Sequence, residues 1–402
     1  MQRHFSFFFC DPIVSHVPRP DLLQVNKILS LYLSRAFLQT SGISFVTDFP
    51  SHHTSVSFHS AMTTPPKKII VVVGATGNQG SSVARTFLSL PNWHVRCLTR
   101  NPSSAAAQTL SELGAELVQG DLSDLASITR VFASANTIFA NTDFWATYLD
   151  PSTPAKSAAT NKTSSELAFD LEVSHGKNIA KAAAGVQTLE RFIYSALGPV
   201  KKHSRGKYPH SYHWDSKATI VEYIEKEQPE LARKMSVIYL GAYVTNPLLH
   251  PKWDERAGKY MFVLPVSREC RFPVIDARES TGAFVRALVE DEDAGKRLLA
   301  YDSYLSVEEV VEMWSRVVGK EVGFVEVSIE VMHEQFGIPI EVLDGPAFIS
   351  EFGYMGGVEG AIEPGQLKTD VRTTSFEDWL RSRDWKKVLD RGNVEMKSVE
   401  GK

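Results

Sequence analysis

The sequence predicts an α/β fold built on a doubly wound parallel sheet, and three observations carry that expectation. An unbroken β-branched run at 69–73 has the pattern of a strand buried on both faces. It runs straight into GATGNQG, residues 74–80, and then into a segment at 81–90 that places Val83, Phe87 and Leu90 on one helical face. From there strand-like and helix-like stretches alternate as far as residue 246, which is the order of a Rossmann-type sheet.

Each element follows from its residues. In the loop, Gly74 permits a tight turn, Gly77 lets backbone N–H groups approach a pyrophosphate, and Gly80 lets helix pack on strand. Ala75, Thr76, Asn78 and Gln79 complete the phosphate-facing backbone. A second strand is expected at 94–99 and ends in Arg100-Asn101, where a carboxylate would select the free ribose of NAD(H). A guanidinium there suits a 2′-phosphate, so NADP(H) is the expected cofactor. Helix 104–113 and strand 115–119 follow, then Asp121-Leu122, with Asp121 placed to meet the adenine amino group or to form a turn. Helix 124–133 and strand 137–141 lead to Asn141-Thr142-Asp143, at the carboxyl edge where such sheets bind ligands. Residues 150–163 read as a Pro/Ser/Thr/Ala linker. Helix 164–184, strand 191–195, helix 215–227 and strand 235–240 complete the set.

Composition narrows the function. The 402-residue chain is 43% hydrophobic and 22% charged, an ordinary globular balance. A net charge of −4 argues against a nucleic-acid surface. Cys10, Cys97 and Cys270 lie too far apart in sequence for a CxxC site and are too few for a disulfide framework, which fits a reducing cytoplasm. His203, His210 and His213 sit in a basic stretch without neighbouring thiols or clustered carboxylates, so no metal is expected.

Residues 1–61 are expected to be an extension outside the fold, with Met62 as the natural start. The apolar stretch at 22–38 is interrupted by Asn26, Lys27, Ser30, Ser34 and Arg35 and is no membrane span, while Asp11, Asp21 and Asp48 count against a mitochondrial presequence. The expected division is a nucleotide-binding domain at 62–246, a smaller α/β subdomain at 247–390 and a frayed tail at 391–402. Helices are readable at 279–290, 307–318 and 329–336, and GYMGGVEG, residues 353–360, reads as a flexible lid or partner loop.

VVVGATGNQG, the strand end Thr99-Arg100-Asn101-Pro102, VQGDL, YSALG and HWDSK together resemble the NmrA-like family, an atypical branch of the short-chain dehydrogenase/reductase superfamily, over roughly residues 66–390. The resemblance implies that Ser195 stands at the superfamily's serine position and Lys217 at its lysine position, while His213 replaces the tyrosine. In the family Lys217's counterpart holds the nicotinamide ribose, and isoflavone-reductase-like relatives work with the lysine and no tyrosine. His213 and Lys217 share a helix face, and an imidazole exchanges protons near neutrality. Tyr212 points about 100° away on a regular helix. Gly241-Ala242-Tyr243-Val244-Thr245-Asn246 resembles the segment that closes on the nicotinamide, with Tyr243 and Asn246 as the leading side chains. Two functions follow from the resemblance: an NADP(H)-dependent oxidoreductase acting on a small carbonyl or enone, or a redox sensor that binds a regulatory protein.

Overall fold

The computed structural model describes residues 66–385, so the expectations for 1–61 and 391–402 fall outside the described residues. Strand β1 (Lys68–Val72), helix α1 (Asn78–Leu88), β2 (Trp93–Thr99), α2 (Ala105–Glu112), β3 (Glu116–Gln119), α3 (Leu125–Phe132) and β4 (Thr137–Ala140) alternate as the sequence predicts. Next come α4 (Phe144–Tyr148), α5 (Thr153–Thr160), α6 (Ser164–Ala184), β5 (Arg191–Ala196), α7 (Val200–His203), α8 (Tyr212–Glu227), α9 (Pro229–Ala232) and β6 (Met235–Leu240). The remainder contributes β7 (Ala242–Tyr243), β8 (Lys252–Asp254), β9 (Lys259–Leu264), β10 (Arg271–Ile275), α10 (Thr281–Glu290), β11 (Arg297–Ala300), β12 (Ser303–Ser306) and α11 (Val307–Val318). It closes with β13 (Val322–Glu326), α12 (Ile329–Phe336), α13 (Ile340–Phe352), β14 (Ala361–Ile362) and α14 (Phe376–Arg381).

The eight-stranded sheet has the order β14-β11-β6-β5-β4-β1-β2-β3, every pairing parallel. The chain moves outward from β1 in both directions, so the crevice between the ends of β1 and β4 is the topological switch point. Alternate residues of the central strands feed two apolar layers. Val71, Ile138, Phe192 and Tyr194 face one layer and Ile70, Val72, Phe139 and Ile193 the other. Gly176 of α6 lets α8 approach closely, since a Cβ there would lie 2.4 Å from Ile220.

Three readings need correction. The expected linker contains a helix, α5, with Pro154 in its first turn, Asn161 ending it at φ 53° and Thr163 opening α6 by a capping box with Glu166. Its Pro, Ser and Thr content hid a short helix that Pro154 admits in its first turn and Ala155, Ala158 and Ala159 sustain. Helix α8 begins at Tyr212 rather than 215. The loop 353–360 is anchored: Tyr354 is buried and donates to the Leu240 carbonyl at 2.6 Å, and a Cβ on Gly357 would lie 2.9 Å from His203.

Candidate functional site

The glycine loop closes the end of β1. Gly74 sits at φ 73°, and the Gly77 N–H donates to its carbonyl at 3.0 Å. A Cβ on Gly80 would come within 2.2 Å of the Gly74 oxygen and 2.8 Å of the Ala75 Cα, so no side chain fits there. Gly77 caps α1 without a side-chain hydrogen bond and the first turn carries no acid, which leaves the helix dipole and its leading amides open to an anion. Asn141 stands against Gly74 from the end of β4: its carbonyl would be 3.3 Å from a Cβ on Gly74. The amide oxygens Asn141 Oδ1 and Gln79 Oε1 are buried without a partner among the described residues, while Gln79 Nε2 donates to the Tyr243 hydroxyl at 2.5 Å. Two unanswered acceptors beside a side-chain-free cradle fit a ligand that offers hydroxyl donors next to an anion, as a dinucleotide does. Burial pushes the Tyr243 phenol up to about 12, so it stays a neutral partner.

Beyond the loop, Arg100 is exposed and its guanidinium has no ion-pair partner among the described residues. The side chains of Asn101 and Asp121 close their own turns, accepting from Ser103 N at 3.0 Å and Ser123 N at 2.8 Å. His175, absent from the sequence reading, bonds Ser123 Oγ at 2.9 Å; burial, ahead of Arg100's charge, lowers its pKa, and Asp121 opposes the shift. Leu122 offers its carbonyl to Asn178. Asp143 caps α4, accepting from Ala146 N. Asn246 likewise accepts from Leu248 N in the turn after β7; Val244 is buried beside it and Thr245 exposed. Asn101, Asp121, Asp143 and Asn246 therefore use their side chains to shape loops around the crevice.

Lys217 lies at the centre. Its Nζ donates to the Thr142 carbonyl at 2.8 Å and to Thr142 Oγ1 at 3.2 Å, and pairs with Glu172 Oε1 at 2.6 Å. Glu172 is fully buried, Ser216 donates to its other oxygen, and Thr142 Oγ1 also shares a 3.0 Å hydrogen bond with the Tyr194 hydroxyl. Burial first, then the Glu172 charge, hold the Tyr194 phenol well above its ordinary value, so it remains protonated. Glu172 was missed from sequence, yet it occupies the apolar stripe of α6 with Ala168, Gly176 and Ile179, and an acid in such a stripe was the available signal.

His213 stands one turn earlier on α8. Its Nδ1 is 2.7 Å and its backbone N 2.9 Å from Glu341 Oε1, an oxygen delivered by α13 from the other end of the chain. The ring lies 4.9 Å from Trp145 and 5.9 Å from Phe144, centroid to centroid. Tyr212 turns away to meet Phe169 at 5.9 Å, so it does not replace His213. His210 pairs with Asp344 of α13, and His203 packs on Phe352, so the three histidines have separate partners and two of them gain the carboxylates their local sequence lacks. Ser195 is not gathered with these groups. Along β5 it alternates with Tyr194 and so shares the face of Ile193, opposite the Glu172 network.

A parallel sheet with a glycine loop at its switch point and a lysine fixed beside it defines a Rossmann-type α/β protein. Residues 66–380 match the NmrA-like family, and the chain belongs to it. Among its relatives, the NmrA-like family domain-containing oxidoreductase ptmS of Penicillium ochrochloron is 36% identical over 36% of this chain and 38% of its own length. The corresponding oxidoreductase malD of Malbranchea aurantiaca is 25% identical over 80% of this chain and 98% of its own. The crystal structure of NmrA, a negative transcriptional regulator, in complex with NAD superposes with a TM-score of 0.59 at 22% identity, covering 81% of this chain and 98% of that one. Among the described residues no helix is long and apolar enough to cross a membrane.

Proposed function

We propose that the chain is an NADP(H)-dependent oxidoreductase that reduces a small carbonyl or enone compound. The observation that carries this is the fixed ammonium of Lys217, bonded to the Thr142 carbonyl at the switch point and held there by buried Glu172. The bound dinucleotide would supply hydride. The loop 74–80 would hold its pyrophosphate, Arg100 its 2′-phosphate, and Gln79, Asn141 and Tyr243 the polar groups nearer the nicotinamide. Lys217 would orient the ribose and, with its positive charge, favour negative charge developing on the substrate oxygen. His213 exchanges the proton, and Ser195, on the opposite face of β5, takes no part in this reading. Trp145 and the aromatic residues near it form a wall suited to a planar substrate. The names of ptmS and malD support oxidoreduction. The free, buried Cys97 and Cys270 support a reducing cytoplasmic setting.

A second reading, a dinucleotide sensor that binds a regulatory protein, is favoured by one observation: Glu172 and Thr142 already satisfy Lys217 internally. Purified protein incubated with NADPH and a panel of carbonyls and enones separates the two. Substrate-dependent NADPH oxidation, abolished in Lys217→Met combined with Glu172→Gln, supports the enzyme. Binding of NADPH with no oxidation across the panel, together with dinucleotide-dependent capture of a partner, would replace it with the sensor.

A further inference from the structure

Glu341 is a buried acid beside His213 that the proposed reduction leaves without a role. It reaches the site from α13, is 3% exposed, and keeps Oε2 without a partner among the described residues, while Oε1 accepts from the His213 backbone N–H and lies 2.7 Å from its Nδ1. Its surroundings do little for a negative charge. Trp145 and Phe144 pack on the His213 ring, and the groups that feel its field are the phenols of Tyr148 and Tyr212 and the carboxyls of Asp215 and Asp344. A carboxylate kept with one oxygen unanswered is costly to a fold, and it is retained here against an imidazole edge.

We propose that Glu341 is a positioning residue that holds His213 as the Nδ1–H tautomer and thereby makes Nε2 the atom that exchanges a proton with the substrate. The geometry on Oε1 carries the assignment. The backbone N–H of His213 donates to Glu341 Oε1 at 2.9 Å, which makes that oxygen an acceptor, and Nδ1 lies 2.7 Å from the same oxygen and is therefore assigned the ring hydrogen. In carbonyl reduction, hydride from the reduced dinucleotide would bond to the carbonyl carbon, the π pair would move to oxygen and the dinucleotide would leave oxidised. Nε2 of the neutral ring would take a proton from a solvent hydronium ion and pass it to that oxygen, which returns the ring to its Nδ1–H form. The proposal rests on the oxidoreductase reading for the proton's destination and on the structure alone for the tautomer.

The full chain labelled with ¹⁵N-histidine tests it through long-range ¹H–¹⁵N correlations, with His213→Asn identifying the signal. The expected pattern is a protonated Nδ1 and a bare Nε2 in the wild type without nucleotide, kept in Glu341→Gln, whose amide oxygen still accepts, and lost in Glu341→Leu. On a reduced substrate, Glu341→Leu is expected to lower kcat at least tenfold with KM for NADPH within twofold, and Glu341→Gln to recover most of it. An Nε2–H tautomer in the wild type overturns the proposal whether or not any variant folds. So does a folded Glu341→Leu that loses the tautomer while kcat stays within twofold. A wild type with Nδ1–H that reduces nothing removes the oxidoreductase reading and the catalytic half of the proposal, while loss of the tautomer in Glu341→Leu would still support the orientation.

Discussion

Lys217 and His213 sit one turn apart on α8, yet opposite parts of the chain hold them. Lys217 is fixed by Glu172 of α6 and by Thr142 after β4, all within the alternating strand and helix segment. His213 is fixed by Glu341 of α13, more than a hundred residues later. The two anchors also differ in completeness. The Glu172 carboxylate has a partner on each oxygen, whereas Glu341 has one oxygen unanswered. The lysine side is therefore part of the scaffold, and the histidine side is adjustable from a C-terminal helix without disturbing the nucleotide crevice.

The sharpest way to break that comparison is to change one partner on each side. Lys217→Ala strands a fully buried carboxylate and is expected to cost about 3–5 kcal/mol in urea unfolding. Glu341→Gln keeps its acceptor and is expected to cost about 1 kcal/mol. Equal losses at the two sites would erase the distinction. Gly80→Ala drives a Cβ into the Gly74 carbonyl and should cost roughly 2 kcal/mol by overpacking, with at least a tenfold loss of NADPH affinity by calorimetry. Arg100→Ala touches neither anchor. It is expected to weaken NADPH binding about tenfold, or about 1.4 kcal/mol, and NADH binding far less; equal effects on both would deny the 2′-phosphate its place at Arg100.

The remaining effect is set by pH and concerns Asp215, which lies on α8 between His213 and Lys217. Burial pushes its carboxyl from 3.8 up to about 7, against the opposing hydrogen bond from Lys201 N. Between those values the folded protein holds a proton that the unfolded chain has released, so stability from this group falls as pH rises through that window. Asp215→Asn should remove the slope, with a gain in urea unfolding several-fold larger at pH 8 than at pH 4. A gain that is the same at both pH values would contradict the raised carboxyl.

Much of this was legible beforehand because it is local. The β-branched run of β1, the glycines and the helix after them specify strand, turn and helix within two dozen residues, and Lys217 could be placed from its motif. Glu172 was legible in principle, as an acid in an apolar stripe. Glu341 was not. Nothing within α13, which carries Pro346 inside the helix and the acids Glu341, Asp344 and Glu351, signals which distant side chain Glu341 will meet. Ser195 shows the converse limit: its motif position suggested a place beside Lys217, and the period of two along β5 turned it to the other face.

A crystal structure of the chain grown with saturating NADP⁺ tests the central claim most directly. The account predicts the pyrophosphate against the backbone of residues 74–80, the 2′-phosphate at Arg100, and the nicotinamide ribose within hydrogen-bond reach of Lys217 while Glu172 keeps its pairing. A dinucleotide bound elsewhere, or a ribose out of reach of Lys217, would contradict it.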